Sequence, residues 1–96
     1  MSVRFEWDDD KAKANLKKHK VSFDEASTVF GDALAKIFSD EKHLSEEIRE
    51  IIVGHSILDR LLLVSFTERR RDVIRIISAR VATRNERKSY EENKDD

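Results

Sequence analysis

The chain has no cysteine and no proline, and its 96 residues include only two glycines, Gly31 and Gly54. Without cysteine there is no disulfide framework, no thiolate metal site and no thiol nucleophile, which sets a secreted mini-protein aside. With so little glycine there is no glycine-rich phosphate loop, so nucleotide-dependent enzymes of the common motif types are disfavoured. The three histidines, His19, His43 and His55, lack metal-ligand spacing, so neither a zinc site nor another cofactor is expected. No apolar run approaches the roughly 18 residues that a membrane helix needs, and the N-terminus reaches charge at once without an apolar signal region. These absences predict a cytoplasmic protein without membrane association.

What the chain has in quantity is charge. Charged residues make up 41% of it, yet the formal net charge is only -1. From Arg60 to Lys88 nine basic residues stand against three acidic ones, while acidic residues gather in Asp8–Asp10, Asp40–Glu50 and Glu91–Asp96. A neutral whole with one basic region suits a focused anion site better than general polyanion coating. The bland alternative is that these charges are ordinary solvated faces.

At this length one domain is expected, over residues 1–92, with 93–96 as a disordered acidic tail. Val3–Trp7 alternates as a short strand, with Trp7 assigned to the core. Asp8 is an N-cap for a helix running to about His19, with Asp9 and Asp10 in its first turn and Lys17, Lys18 and His19 at its end. Ser22 and Glu25 form a capping box for a second helix, with Val21 and Ala26 as a hydrophobic staple and Gly31 as the C′ residue. Leu34–Phe38 is a strand, Ser39–Glu46 a polar loop, Glu47–His55 a strand, and Ser56–Asp59 a turn. Arg60–Thr67, apolar on both faces, is the central strand. The turn Arg69–Arg71 leads into a last strand, Asp72–Ser78. Thr83 and Glu86 form a capping box for a third, almost wholly polar helix that ends near Glu92.

The predicted class is α+β: a small twisted antiparallel sheet with two N-terminal helices and one C-terminal helix, in the order β-α-α-β-β-β-β-α. The short connections between the last four strands demand antiparallel neighbours, and the helices are expected on one side of the sheet.

Strand period puts Val73, Arg75 and Ile77 on one face and Ile74, Ile76 and Ser78 on the other. Arg75 between β-branched residues is an unusual choice unless a guanidinium is needed there to grip a phosphate or carboxylate. The competing explanation is an arginine paired to a helix carboxylate. Strict alternation places Arg80 on the face opposite Arg75, so the two share a cleft only if Arg80 lies beyond the strand end. Lys18-His19 is a second candidate, because a histidine beside a lysine can move protons near neutrality. Cations at a helix C-terminus need no such role.

Read together, these segments resemble the BrnT family of ribonuclease toxins from bacterial type II toxin–antitoxin systems. The resemblance runs from Val3 to about Glu91. It rests on Phe5-Glu6-Trp7-Asp8, Lys11, Asn15, Lys18-His19, Val21, Phe23, Glu25-Ala26 and Phe30-Gly31-Asp32. Further on it rests on Arg49, Gly54, Leu61–Val64, Thr67, Arg69, Ile74–Arg80, Ala82-Thr83, Glu86-Arg87 and Tyr90. It implies a RelE-like toxin domain and metal-independent RNA cleavage that inhibits translation. It also implies neutralisation by a BrnA-type antitoxin, through which alone the pair would meet operator DNA, with a homodimer or a heterotetramer as candidate assemblies. Two positions depart from the family pattern. Lys20 stands where a glycine is usual, and a left-handed lysine there would cost roughly 1 kcal/mol. Asp59, after Ile57 and Leu58, replaces a turn glycine, and those two apolar residues look like a contact for another chain. The loop around His43 is altered too, so no role is carried onto it.

Metal-free RNA cleavage needs a base for the 2′-hydroxyl, cations for the phosphorane and an acid for the departing 5′-oxygen. The expected assignment is Arg75 and Arg80 on the scissile phosphate, Lys18 or His19 in proton transfer, and Glu25 as a base, although capping alone would explain Glu25. Arg71, Arg84 and Arg87 would guide the RNA backbone. The rival class is a catalytically inactive binding module that acts as partner of a DNA-binding antitoxin. A metal-dependent nuclease ranks last.

Overall fold

The computed structural model describes residues 3–40 and 48–92. His43, most of the loop 39–46 and the tail 93–96 lie outside the described residues.

Asp8 caps the first helix as its sequence suggests, accepting from the Lys11 amide at 3.0 Å. Helix α1 runs Asp9–His19 and closes on Lys20, which is left-handed at φ 59° and donates its amide to the Leu16 carbonyl. That conformation is the one a glycine would adopt without strain. Helix α2, Phe23–Thr28, starts at Ser22, whose hydroxyl accepts from the Glu25 amide at 3.0 Å. Only that half of the expected capping box forms, because the Glu25 carboxylate is used elsewhere. Gly31 also departs from expectation. It ends a short 3-10 turn, Val29–Gly31, and no glycine has a positive φ, so it is not a left-handed cap.

The strands are β1 (Arg4–Glu6), β2 (Lys36–Ser39), β3 (Glu50–His55), β4 (Leu61–Arg70) and β5 (Val73–Val81), followed by α3 (Arg84–Glu92). They make one sheet in the order β1-β5-β4-β3-β2. The pairs β2–β3, β3–β4 and β4–β5 are antiparallel, while β1 lies parallel to β5 at one edge. The β4–β5 turn needs only Arg71 and Asp72, with Asp72 left-handed, so both strands run further than apolar alternation alone suggests.

Helices α1 and α2 cover one face. Val21, Phe23, Ala26 and Val29 pack there on Ile52, Leu62, Val64, Phe66 and Ile76, and all of these are buried. Val21 and Ala26, the expected staple, are both fully buried. Trp7 meets Phe23 edge-on, with ring centroids 5.8 Å apart, so it belongs to this core. Gly54 allows the chain after α2 to come close: a Cβ there would stand 2.8 Å from Ala35 Cβ and 3.0 Å from Asp32 Oδ2.

The third helix is not on that side. Asn85, Glu86, Ser89 and Tyr90 of α3 face Ile51, Val53 and Leu63, the residues that alternate with the core positions. No residue of α3 is buried. Its capping box is complete, with Thr83 Oγ1 accepting from the Glu86 amide at 3.2 Å and Glu86 Oε1 accepting from the Thr83 amide at 2.8 Å. Tyr90 anchors it by donating its hydroxyl to the Leu34 carbonyl at 2.9 Å. Between α3 and the sheet runs a groove of about 650 Å³.

Candidate active site

Alternation along β5 breaks once. Ser78 pairs with Ser65 but Ile76 pairs with Phe66, which leaves Ile77 as an extra, bulged residue. A bulge reverses the parity of every residue beyond it. Arg75 pairs with Thr67, Ser78 with Ser65 and Arg80 with Leu63, three alternate positions of β4. Arg75, Ser78 and Arg80 therefore share the face under α3. This corrects the expectation that they share a cleft only if Arg80 lies past the strand end, since Arg80 is inside β5. Leu63 and Thr67 are four residues apart, so the arginine backbones are about 13 Å apart along the strand, with Ser78 between them.

Both arginines are held by carboxylates. Arg75 donates to Glu6 on the adjoining strand at 3.0 Å. The competing explanation thus finds a carboxylate partner, though on a strand and not on a helix. Arg80 grips Glu86 with two nitrogens, at 2.7 and 2.8 Å. This hydrogen-bonded fork holds the Glu86 carboxyl down at about 2 and raises Arg80 above its usual value.

His19, at the last turn of α1, joins this face from the sheet edge. With Ile51, Leu63, Ser65, Ser78 and Arg80 it lines a hollow of about 250 Å³. The hollow adjoins the larger groove, since both share Ile51 and Leu63. Lys18, the preceding residue, is exposed.

Glu25 is not brought to this hollow. Its carboxylate is buried against the β3–β4 hairpin, where it accepts from Ser56 Oγ at 2.7 Å, from Arg60 Nε at 2.9 Å and from Arg60 Nη2. The Arg60 hydrogen bonds, helped by Ser56, hold its carboxyl below the usual range against the opposing effect of burial. Arg60 also donates to the Lys20 carbonyl at 3.0 Å, so Glu25 and Arg60 brace the turn that follows His19.

The remaining arginines flank the row. Arg71 is exposed at the β4–β5 turn, next to the Val73 end of β5. Arg84 and Arg87 are exposed on α3 at the other end, with Arg87 3.8 Å from Glu91. Among the described residues no three or more acidic or histidine side chains gather as they would to hold a metal ion. Ser78, Ser65 and Glu86 escaped the sequence reading as site residues. The glutamate was visible only as a helix cap, and the serines become neighbours of Arg80 only through the bulge.

The family model for the ribonuclease toxin BrnT of type II toxin–antitoxin systems matches residues 7–86. The chain belongs to the BrnT family. The fold is that of the crystal structure of the Brucella abortus ribonuclease toxin BrnT, with a TM-score of 0.66 at 21% identity. That match covers 86% of this chain and 100% of the Brucella one. A search of curated protein sequences returns no match. Family membership makes the chain a toxin-type member of a two-component system, and so implies an antitoxin partner. Among the described residues no helix is long and apolar enough to cross a membrane.

Proposed function

We propose that this chain is a metal-independent endoribonuclease that arrests translation, with its site on the bulged face of β5. The observation that carries the reading is the placement of Arg75, Ser78 and Arg80 on one sheet face, with His19 at its rim. Two guanidiniums along one row suit a phosphodiester, because each can donate to non-bridging oxygens and offset the charge that builds on the phosphorane.

In this reaction the 2′-oxygen attacks phosphorus and the bond to the 5′-oxygen breaks, leaving a 2′,3′-cyclic phosphate and a 5′-hydroxyl. His19 takes the 2′-hydroxyl proton and Lys18 delivers one to the departing oxygen. Arg71 at one end and Arg84 and Arg87 at the other guide the RNA backbone by charge. Glu25 has no step, since its carboxylate is committed to Arg60. A BrnA-type antitoxin neutralises the toxin and carries the pair to its operator.

Expression of the chain should stop translation, and alanine at Arg75, Arg80 or His19 should relieve the arrest. If all three variants arrest growth at equal protein levels, the site assignment is wrong. A second reading, a binding module without catalysis, is favoured by one observation: Glu6 and Glu86 already occupy both arginines. Purified protein that binds but does not cut RNA would establish it.

A further inference from the structure

Strand β1 covers β5 only from Val73 to Arg75, so the outer backbone groups of β5 beyond that point need another partner. In the antiparallel ladder, residues alternate between facing their neighbour strand and turning their N–H and C=O away from it. Ala79 turns away from β4, and Asn15 of α1 meets it with both ends of its carboxamide. The Ala79 amide donates to Asn15 Oδ1 at 3.0 Å, and Asn15 Nδ2 donates to the Ala79 carbonyl at 2.9 Å. Nδ2 also donates to the Val21 carbonyl at 2.9 Å. The carboxamide thus serves as one residue of a missing strand. Asn15 is 8% exposed, and it is the single buried residue of α1.

Ala79 lies between Ser78 and Arg80, and His19 lies one turn beyond Asn15 on the same side of α1. We propose that Asn15 is the positioning residue that holds His19 at the hollow beside Arg80 by pinning α1 to the open edge of β5. No other side chain type of this size offers both an acceptor and two donors in one plane. Aspartate would turn one oxygen toward the Ala79 and Val21 carbonyls, and alanine would leave the Ala79 and Val21 groups without their partner. The inference builds on the proposed site but concerns only where His19 stands.

The test is proton NMR on Asn15→Ala and Asn15→Asp, with Val29→Ala as a variant that destabilises the same core away from the hollow. The expected result is one set of His19 ring-proton shifts, set by the hollow it lines with Ser78 and Arg80, shared by the wild type and Val29→Ala. It should be lost in whichever Asn15 variant remains folded. RNA turnover, compared where each variant is folded, should fall at least tenfold in kcat for Asn15→Asp and stay within about twofold for Val29→Ala. Wild-type shifts that persist in the Asn15 variants, or that are lost equally in Val29→Ala, overturn the inference. If the shifts change as expected but the wild type cuts no RNA, the positioning stands and the ribonuclease reading fails.

Discussion

The two faces of the sheet are built to different standards. Under α1 and α2, Val21, Ala26, Val29, Leu62 and Val64 are fully buried and the aromatic rings interlock. Under α3 the floor mixes Ile51, Val53 and Leu63 with Lys36, and the helix above offers it Asn85, Glu86, Ser89 and Tyr90. The first face closes because its side chains are complementary. The second stays open, and its helix is tied on by a salt bridge, a cap and a tyrosine hydroxyl. Stability is therefore concentrated on one side and the candidate chemistry on the other, as a site that must admit a ligand requires.

The largest effect expected on stability is on the closed face. Phe23→Ala should remove about 3–5 kcal/mol of unfolding free energy, read by urea denaturation, because a fully buried ring leaves a cavity that this core cannot collapse. An equal loss from a residue of α3 would break the contrast.

Next comes Arg60→Ala, which strands the buried Glu25 carboxylate. About 2 kcal/mol is expected, less than for a fully buried pair because Arg60 is partly exposed. The Glu25 carboxyl is lowered in the folded state, so the contribution of the pair is complete above the ordinary carboxyl value of 4.5 that holds in the unfolded chain, and is lost as pH falls through the lower folded value. Urea titrations at neutral and acidic pH should show the gap between wild type and variant narrowing on acidification.

Glu86→Gln should cost less than about 1 kcal/mol, since the bridge is half exposed. It should nevertheless speed amide hydrogen exchange throughout α3. The same loosening should appear in the wild type as pH drops from 4.5 toward about 2, where Glu86 takes its proton. The smallest effects belong to Arg71, Arg84 and Arg87. Alanine at each should weaken RNA binding a few-fold and reduce the steepness of its salt dependence by about 1. An effect confined to one RNA sequence would instead argue for base reading.

Much of this division was legible in the residues. The apolar stretch of β4, the caps at Asp8 and Thr83 and the packing role of Trp7 follow from local pattern, and so do the element order and the α+β class. The left-handed turn at Lys20 was suggested by the family pattern, and φ 59° bears it out. Long-range geometry was not legible. The parallel pairing of β1 with β5 joins the two ends of the chain, and nothing local encodes it. The side chosen by α3 could not be read from a helix that buries nothing. Above all, the bulge at Ile77 carries no glycine or polar signal, so period-two reading put Arg75 and Arg80 on opposite faces. A capping box at Ser22-Glu25 also looks the same in sequence whether or not its carboxylate turns to Arg60.

The most direct measurement is cleavage of RNA by the purified protein in EDTA, comparing wild type with Arg75→Ala and Arg80→Ala. A shared phosphate site predicts cleavage by the wild type and a fall of about 10²–10³-fold in kcat for each variant, with unfolding free energies within about 1 kcal/mol of the wild type. No cleavage by the wild type in EDTA, or undiminished cleavage by both variants, would contradict a site built on the bulged face of β5.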